Sequence, residues 1–460
     1  MAMDVRAPLR VLMVSDFFAP NVGGVETHVY QLAVRMVERG HEVVVLTHAY
    51  GGRTGVRYIT DWIKVYYVPR KPIWMEATAP TFFGSARVVR CVILRERITL
   101  VHAHQAFSSL AHESILLATT MRLPVVFTDH SLFGFAEVSS ILTNKLLKFS
   151  LAVVGATICV SHTSKENTVL RACLPPSRVF VIPNAVDYSA FTPTEHKVAS
   201  KHITIVLLSR LVYRKGMDLL ARAIPIICKK HSCVRFVIGG DGPRRPQLED
   251  MVDRHNLKER VEFLGMIPHT EVRDVLVRGD IFLNASLTEA FCIALVEAAA
   301  CGLLVVSTKV GGVPEVLPSD MMLLSTPNVR SIVESVSKAI DVLPTVNRWD
   351  FHERVKAMYN WRDVAERTEV VYRFAMQQGK HRICKCPEHD LFHRLQQYYR
   401  CGKIAGKLFC FVAILMHVYV QLLEWWAPSS GIEMAVSPPR RKQTSASAFT
   451  QLMDEIKATS

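Results

Sequence analysis

Short apolar runs alternate with segments of helical periodicity along most of the chain, and this alternation restricts the fold more than any other feature. The first cycle is the apolar run Leu9–Asp16, the amphipathic segment Val25–Arg39 and the apolar run His41–His48. Strands joined by helices pair in parallel, because each helix returns the chain to the same end of the sheet. The sequence therefore predicts an α/β fold with Rossmann-like, doubly wound sheets that bind ligands at the carboxyl ends of the strands.

The predicted strands form two series, separated by a polar stretch at residues 192–195. The first series comprises Leu9–Asp16, His41–His48, Leu100–His104, Pro124–His130, Thr157–Ser161 and Val179–Pro183. The second comprises Ile203–Arg210, Val234–Gly240, Val261–Gly265, Ile281–Ser286 and Leu304–Thr308. Each series has the length of an ordinary domain. We expect tandem domains at residues 1–190 and 200–378, the second ending in a helix from Trp361 to about Gln378.

The segment 404–426 is long and apolar enough to cross a bilayer as a helix, which takes about 20 residues. Lys407 and the pair Trp425-Trp426 suit the two membrane interfaces. An amphipathic or core helix is the alternative. Basic residues just before the segment favour a cytosolic position for its N-terminal side. We expect a basic juxtamembrane linker at 379–403, a transmembrane helix at 404–426 and a flexible tail at 427–460.

The formal net charge of +14 is compatible with nucleic acid, an anionic membrane or an anionic substrate. We expect no nucleic-acid partner, because the basic residues are dispersed and accompany no reader motif. The N-terminus has no apolar core of a signal peptide, and the cysteines show no disulfide framework. These features indicate a reduced, cytosol-facing protein, in which Cys384 and Cys386 are interpreted as two exposed thiols.

Two motifs suit phosphate. Gly23-Gly24 follows the first predicted strand and precedes a helix, where backbone amides can approach an anion. An ordinary tight turn explains these glycines equally well. Arg210 and Lys215 follow the first strand of the second series, and two cations there suit a diphosphate. A solvated basic loop is the alternative for this pair.

Carboxylates, glycines and a histidine complete the candidate site. Glu289 and Glu297 lie in the segment that opens a helix after the strand Ile281–Ser286, where they could accept hydrogen bonds from sugar hydroxyls. Gly311-Gly312 forms a flexible turn after the next strand. His130, at the end of a strand, could contact a sugar, although a lone histidine is more often structural.

The sequence predicts no metal site. No Asp-x-Asp follows a predicted strand, and no histidines or cysteines have the spacing of a zinc site. His102 and His104 also end a strand, and they rank below His130 as site residues. Asn284-Ala285-Ser286 matches a glycosylation sequon, but it lies in a predicted core strand, so we expect it to be unmodified.

Taken together, the motifs resemble those of retaining GT-B glycosyltransferases of family 4. The resemblance rests on GGVETH, SRLVYRKG, GGDGP, SLTEAFCIALVEAAACG and VVSTKVGGVPEVLP. FTDHSLFGFAEVSSILTNKLL, CVSHTSKENTVLRA and VIPNAVD are similar more narrowly to the catalytic subunits of phosphatidylinositol N-acetylglucosaminyltransferases. The resemblance extends from Leu9 to about Tyr372.

The resemblance implies two domains facing a cleft, the first for phosphatidylinositol and the second for UDP-GlcNAc. It implies transfer of GlcNAc to phosphatidylinositol, the first step in the synthesis of glycosylphosphatidylinositol (GPI) anchors. It also implies retention of configuration, no metal or other cofactor, partner subunits, and a single-pass position in the endoplasmic reticulum membrane with the catalytic domains on the cytosolic side.

The resemblance also implies a role for each candidate residue. Arg210 and Lys215 would hold the UDP diphosphate, Glu297 the ribose and Glu289 the GlcNAc hydroxyls. His130 would face the transferred sugar. Glycines would shape the site, namely Gly23, Gly24, Gly311 and Gly312.

Three alternatives remain open. Another family-4 transferase with a different sugar or acceptor would share the donor motifs. A dinucleotide-dependent oxidoreductase is disfavoured, because no G-x-G-x-x-G follows Val14. An inactive scaffold protein is disfavoured by the presence of Arg210, Lys215, Glu289 and Glu297.

Overall fold

The structure is a computed structural model. It describes residues 7–21, 23–59, 63–74, 76–79, 81, 83–132, 138–195, 201–382 and 387–436. The chain divides into two compact units. The first unit comprises residues 1–160, 164–182 and 362–460, and the second comprises residues 161–163 and 183–361.

The first unit is built on a mostly parallel sheet with the strand order β10-β9-β8-β7-β1-β2-β4-β3. Only the outermost described pair, β3 and β4, is antiparallel. A separate antiparallel pair consists of β5 and β6. The strands are β1 Arg10–Val14, β2 Glu42–His48, β3 Gly55–Ile59, β4 Ile63–Val68, β5 Pro72–Trp74, β6 Ala77–Thr78, β7 Leu100–His104, β8 Val125–Asp129, β9 Ala156–Cys159 and β10 Val179–Val181.

Helices cover this sheet and bury its apolar side chains. They are α1 Gly24–Glu38, α2 Ala86–Arg95, α3 Ser109–Thr120, α4 Val138–Leu151 and α5 His162–Ala172, and later in the chain α12 Trp361–Arg382, α13 Pro387–Tyr399 and α14 Ala405–Trp426. Every residue of β1 after Arg10, and all of β7 and β8, is buried. Strands buried on both faces have near-continuous apolar sequences, which explains why the runs were recognisable.

The second unit is a parallel sheet with the strand order β13-β12-β11-β14-β15-β16. This is the 3-2-1-4-5-6 order of a doubly wound nucleotide-binding fold. Its strands are β11 Ile203–Leu208, β12 Val234–Gly239, β13 Val261–Gly265, β14 Ile281–Asn284, β15 Leu304–Thr308 and β16 Met322–Ser325. Its helices are α6 Met217–Lys230, α7 Arg245–Arg254, α8 Val272–Leu276, α9 Ile293–Ala300, α10 Val329–Val342 and α11 Arg348–Met358.

Helix α12 belongs to the first unit, although the sequence assigned it to the second domain. Tyr372 lies fully buried in that unit, with its hydroxyl 2.8 Å from Nδ1 of His102. A Cβ placed on Gly155 would lie only 3.1 Å from the methyl group of Ala375. Helix α12 therefore approaches the loop before β9 closely. The boundary differs because the burial partners of α12 are distant in sequence.

Helix α14 is the one helix within the described residues that is long and apolar enough to cross a membrane, with a mean hydropathy of 1.8. One face packs against the first unit, where Val412, Ala413 and Met416 join its core. The opposite face exposes large apolar side chains. They are Leu408, Phe411, Ile414, Leu415, Val418, Leu422, Trp425 and Trp426.

Other elements lay outside the sequence expectations. The segment expected as a basic linker contains α13, which packs against α14. The expected thiols Cys384 and Cys386, and residues 437–460 of the expected flexible tail, lie outside the described residues. Asn284, in the sequon, is buried in β14 with its amide nitrogen donating to Ser307 Oγ at 2.9 Å.

Glu369 connects α12 to the rest of the first unit. Its carboxylate accepts hydrogen bonds from Arg39 at 2.8 Å and from Arg373 at 3.0 Å, and His41 Nε2 lies 3.4 Å away. Partial burial opposes the charge, but the arginine hydrogen bonds outweigh it and lower the pKa of Glu369 to about 2. A lowered pKa stabilises the folded state above the pKa of the unfolded carboxyl.

We therefore expect Glu369→Gln to lower the free energy of unfolding by about 1–3 kcal/mol at pH 6. The difference from wild type should shrink as the pH falls below about 4.5, where the carboxyl of the unfolded chain is protonated, and disappear below about 2, where the folded carboxyl is protonated as well. Thermal unfolding of the detergent-solubilised wild type and variant at several pH values measures this difference in stability. Glu366→Gln, on an exposed position of the same helix, is the control. An equal loss of stability for both variants would contradict the prediction.

Candidate functional site

The strand order of the second unit predicts where a ligand binds. The order reverses between β11 and β14, and loops that diverge at such a switch point leave a crevice at the carboxyl ends of the strands. The loop after β11 contains Arg210 and Lys215, and the loop after β14 contains Glu289. The residues that the sequence predicts to bind diphosphate and sugar therefore lie at the switch point.

Gly216 allows these two loops to approach each other. Its φ of +73° lies in the left-handed region, and a Cβ there would lie 1.9 Å from the backbone oxygen of Ala285. The amide of Leu287 donates to the oxygen of Arg214 at 2.8 Å, which joins the same loops. A side chain at position 216 would force them apart, so the glycine fixes their separation.

Lys215 and Glu289 form an ion pair across the switch point. Both side chains are largely buried, with 22% and 14% of their surfaces exposed. Burial opposes the charge of Lys215, but the adjacent Glu289 carboxylate outweighs burial and raises the lysine pKa. The positive charge of Arg210 acts in the opposite direction on Lys215, and the Arg210 side chain is exposed. The carboxyl edge of this sheet therefore carries the ammonium group of Lys215, fixed by Glu289, and the solvent-exposed guanidinium of Arg210.

Gly311 and Gly312 bring the loop after β15 to the same place. The amide of Gly312 donates to the backbone oxygen of Glu289 at 3.0 Å. A Cβ on Gly312 would lie 2.1 Å from the backbone oxygen of Ala290, so no larger residue fits without displacing the loop. Gly311 has a φ of +50°, in the left-handed region. Both glycines thus allow close backbone contact behind Glu289.

Glu297 lies in the second turn of α9, with 13% of its side chain exposed. Its carboxylate is 3.6 Å from Nε2 of His269, in the loop that follows β13. Cys292, just before α9, is half-buried, and desolvation together with the charge of Glu289 raises its pKa to about 12. The thiol is therefore neutral, and the carboxylates are the reactive groups that this segment offers.

In the first unit, the strand order reverses between β1 and β7, and other predicted residues lie there. Gly23 and Gly24 open α1 directly after the loop that follows β1, with the oxygen of Gly23 accepting from Thr27 at 2.9 Å. His28 is one turn further along α1. His104 ends β7, and His130 follows β8, which pairs with β7.

The imidazoles of His104 and His130 favour the neutral form. The ring centroids of His28 and His130 are 4.6 Å apart, and His104 Nδ1 lies 3.4 Å from His130 Nε2. Burial, followed by the repulsion of the neighbouring imidazoles, lowers the pKa values of His104 and His130 well below the usual range. His130 is therefore able to donate or accept a hydrogen bond without carrying a charge.

Asp16 and Glu315 lie after strand ends and were not among the predicted site residues. Asp16, two residues after β1, is buried and accepts hydrogen bonds from Thr78 Oγ1 at 3.0 Å and the amide of Leu110 at 3.3 Å. Burial raises the pKa of Asp16. Glu315, in the second unit, accepts hydrogen bonds from the amides of His162 and Thr163, which belong to the same unit. Position after a strand end was the available signal for Asp16.

Two known protein families match separate parts of the chain. A family described as PIGA (GPI anchor biosynthesis) matches residues 48–137. The family described as glycosyl transferases group 1 matches residues 190–350, which include every predicted site residue of the second unit.

Solved structures similar to this chain are glycosyltransferases of low sequence identity. Sucrose-phosphate synthase from Thermosynechococcus elongatus has a TM-score of 0.65 at 19% identity, covering 79% of this chain and 98% of its own. Anabaena Alr3699/HepE in complex with UDP and glucose has a TM-score of 0.62 at 18% identity, covering 79% and 99%. These similarities confirm the predicted GT-B fold.

Curated relatives are similar over nearly the whole chain. A phosphatidylinositol N-acetylglucosaminyltransferase subunit of Arabidopsis thaliana is 56% identical, over 93% of this chain and 94% of the relative. The human protein of the same name is 50% identical, over 93% and 87%. The gpi3 subunit of the Schizosaccharomyces pombe enzyme is 51% identical, over 92% of both chains. The chain therefore belongs to the PIGA family of phosphatidylinositol N-acetylglucosaminyltransferase subunits, which are glycosyltransferases of the GT-B fold.

Proposed function

We propose that this chain transfers GlcNAc from UDP-GlcNAc to phosphatidylinositol, with retention of configuration and without a metal cofactor. The anomeric carbon–phosphate oxygen bond breaks, and a bond forms between that carbon and an inositol hydroxyl oxygen on the same face of the sugar. The hydroxyl proton passes to the departing phosphate. The observation that carries the proposal is the Lys215–Glu289 pair at the switch point of the second unit.

The cations of this edge suit the leaving diphosphate. An ammonium group has three donors, so Lys215 can keep Glu289 and still bind a phosphate oxygen. Arg210, which is exposed, can add a bidentate contact. Negative charge accumulates on UDP as the bond breaks, and fixed positive groups in a partly buried site stabilise that charge. Lys215 and Arg210 thus supply the neutralisation for which other transferases use a metal ion.

The carboxylates suit sugar hydroxyls. We assign Glu289 to the GlcNAc hydroxyls, because the ion pair with Lys215 holds it beside the proposed diphosphate position. We assign Glu297 to the ribose, since it lies on the same sheet edge in the second turn of α9. Gly311 and Gly312 keep the backbone behind Glu289 close enough for this arrangement. His130, neutral and partly exposed, takes the role of contacting the transferred sugar.

Relatives support the acceptor more than the site geometry does. The donor motifs suit many family-4 transferases, whereas three relatives named for phosphatidylinositol are each at least 50% identical over more than nine tenths of this chain. Their names also call them subunits, so we propose that this chain acts together with other subunits in the endoplasmic reticulum membrane. A transferase with another sugar or acceptor is the alternative.

Replacing Glu289 tests the donor site. We expect Glu289→Gln to reduce GlcNAc transfer about 10- to 100-fold, because it removes a charged hydrogen-bond acceptor worth about 1.5–3 kcal/mol. Microsomes that lack their own member of this family are restored with this chain or the variant and supplied with labelled UDP-GlcNAc. The readout is label in a phospholipase-sensitive GlcNAc-phosphatidylinositol, with and without EDTA.

Glu334→Gln serves as the control, because Glu334 is exposed on α10 and pairs only locally with Arg330. Unchanged transfer by Glu289→Gln, at equal expression, would contradict the assignment of Glu289. Loss of wild-type label in EDTA would contradict metal independence. No label from the wild-type chain, with partner subunits present, would remove the phosphatidylinositol assignment.

We propose that α14 crosses the membrane once and leaves both catalytic units in the cytosol. Arg400, Lys403 and Lys407 lie at its N-terminal end, and basic residues there favour a cytosolic position for that end. The pair Trp425-Trp426 suits the opposite membrane interface. The face packed on the first unit supports a second placement, in which the helix lies along the membrane surface with its exposed apolar side in the lipid.

A glycosylation sequon in the tail distinguishes these placements. Gln443→Asn creates Asn-Thr-Ser, and we expect microsomes to glycosylate it, because a spanning helix places the tail in the lumen. Asn284 should remain unmodified in the same chain. An electrophoretic shift removed by an endoglycosidase is the readout, and a lumenal glycoprotein is the positive control. An unmodified tail would favour the surface placement, and a glycan on Asn284 would overturn the cytosolic orientation.

A further inference from the structure

Three histidines of the first unit come together from distant parts of the chain. His28 lies on α1, His104 at the end of β7 and His130 after β8. One ring nitrogen from each lies within 4.8 Å of the other two. The pairing of β7 with both β1 and β8 produces this convergence, because α1 directly follows the loop after β1.

The protein leaves part of this cluster unsatisfied. His104 is fully buried, and its Nε2 has no hydrogen-bond partner among the residues that the structure describes. His102, which stacks on it with centroids 3.9 Å apart, differs in this respect. Both nitrogens of His102 are engaged, by Tyr372 at 2.8 Å and Thr128 at 2.7 Å. Both nitrogens of His102 are thus occupied, whereas the Nε2 atom of His104 can carry the ring proton when Nδ1 binds an ion.

The separation of two nitrogens fits a tetrahedral ion. Zinc–imidazole bonds of about 2.0–2.1 Å place the nitrogens of neighbouring ligands roughly 3.3–3.4 Å apart. His104 Nδ1 and His130 Nε2 are 3.4 Å apart. The His28 nitrogen lies within 4.8 Å of these two nitrogens. Side-chain rotations that move the ring nitrogens by about 1 Å would bring all three to the tetrahedral geometry.

We propose that His28, His104 and His130 form a binding site for a divalent transition ion, with Zn²⁺ the best match, and that the bound ion inhibits transfer. Imidazole favours zinc, copper, nickel and iron over Mg²⁺, Mn²⁺ and Ca²⁺, which prefer oxygen ligands. Three neutral imidazoles leave a fourth position for water. The proton shared by His104 and His130 moves to the ring nitrogens that face away from the ion, so no net proton is released.

Inhibition follows from the position of His130, and this half of the inference rests on the proposed function. An ion bound to Nε2 of His130 takes the lone pair of the residue assigned to the transferred sugar. It also adds positive charge beside the position assigned to the transferred sugar. A bound Zn²⁺ ion would therefore inhibit GlcNAc transfer, although the proposed transfer itself uses no metal.

Direct binding tests the site without reference to activity. The purified full-length chain in detergent is stripped with EDTA, dialysed and titrated with Zn²⁺ against a chromogenic chelator. We expect one saturable ion per chain, with affinity reduced at least about tenfold in His28→Asn and in His130→Asn. Co²⁺ should give the visible absorption of a tetrahedral site in the wild-type chain, and neither His28→Asn nor His130→Asn should show it. His255→Asn, at an exposed position of the second unit, is the control and should bind as wild type.

The two substituted histidines guard against a folding defect. His28 is buried, whereas His130 is partly exposed, and circular dichroism checks each variant. Equal zinc affinity in wild type, His28→Asn and His130→Asn, or no saturable binding, would overturn the site. In microsomes, Zn²⁺ should inhibit GlcNAc-lipid formation by wild type and His255→Asn, EDTA should restore it, and Mg²⁺ should have no effect.

The outcomes separate the two proposals. Zinc binding at the three histidines without inhibition would overturn the inhibitory role and keep the site. No lipid label from the metal-free wild-type chain would count against the proposed function, while the binding titration would still decide the site.

Discussion

The first unit depends on a contact between two stretches of chain that are far apart in sequence. Residues 183–361 form the other unit, and only afterwards does α12 return to complete the first. Tyr372 then reaches His102 in the sheet, and Glu369 binds Arg39 at the end of α1. These are buried or partly buried polar contacts, which cost free energy when one partner is missing. The sheet edge that carries His104 and His130 is therefore supported by a helix from the end of the catalytic part of the chain.

Sequence reasoning found most strands because buried parallel strands are continuous apolar runs. Leu100–His104, Val261–Gly265 and Leu304–Thr308 coincide with the observed strands. It missed β3, whose residues are mostly exposed and give no apolar run, and the short pair β5 and β6. It also missed the largely buried β4 and the edge strand β16. It also missed α13 and the unit to which α12 belongs. Periodicity describes one segment at a time, whereas the unit of α12 depends on which distant surface buries its apolar face.

The candidate site shows the same division. Lys215 and Glu289 were identified because each follows a strand end in a recognisable motif, and the strand order then brings them into contact. The histidine cluster was invisible for the opposite reason. Positions 28, 104 and 130 have no short spacing, and a search for zinc ligands by spacing examines only neighbours in sequence. Only the pairing of β1, β7 and β8 joins them.

The discontinuity of the first unit also orders its synthesis. The ribosome releases the whole second unit before α12 emerges. The second unit can therefore fold on its own while the first unit still lacks α12 and the helices that follow it. The apolar helix α14 follows α12 after one intervening helix. The first unit is thus completed at nearly the same time as the apolar helix α14 emerges. A nascent chain that stalls between residues 361 and 405 would hold one finished unit and one open sheet, which makes that interval the point where chaperones are most needed.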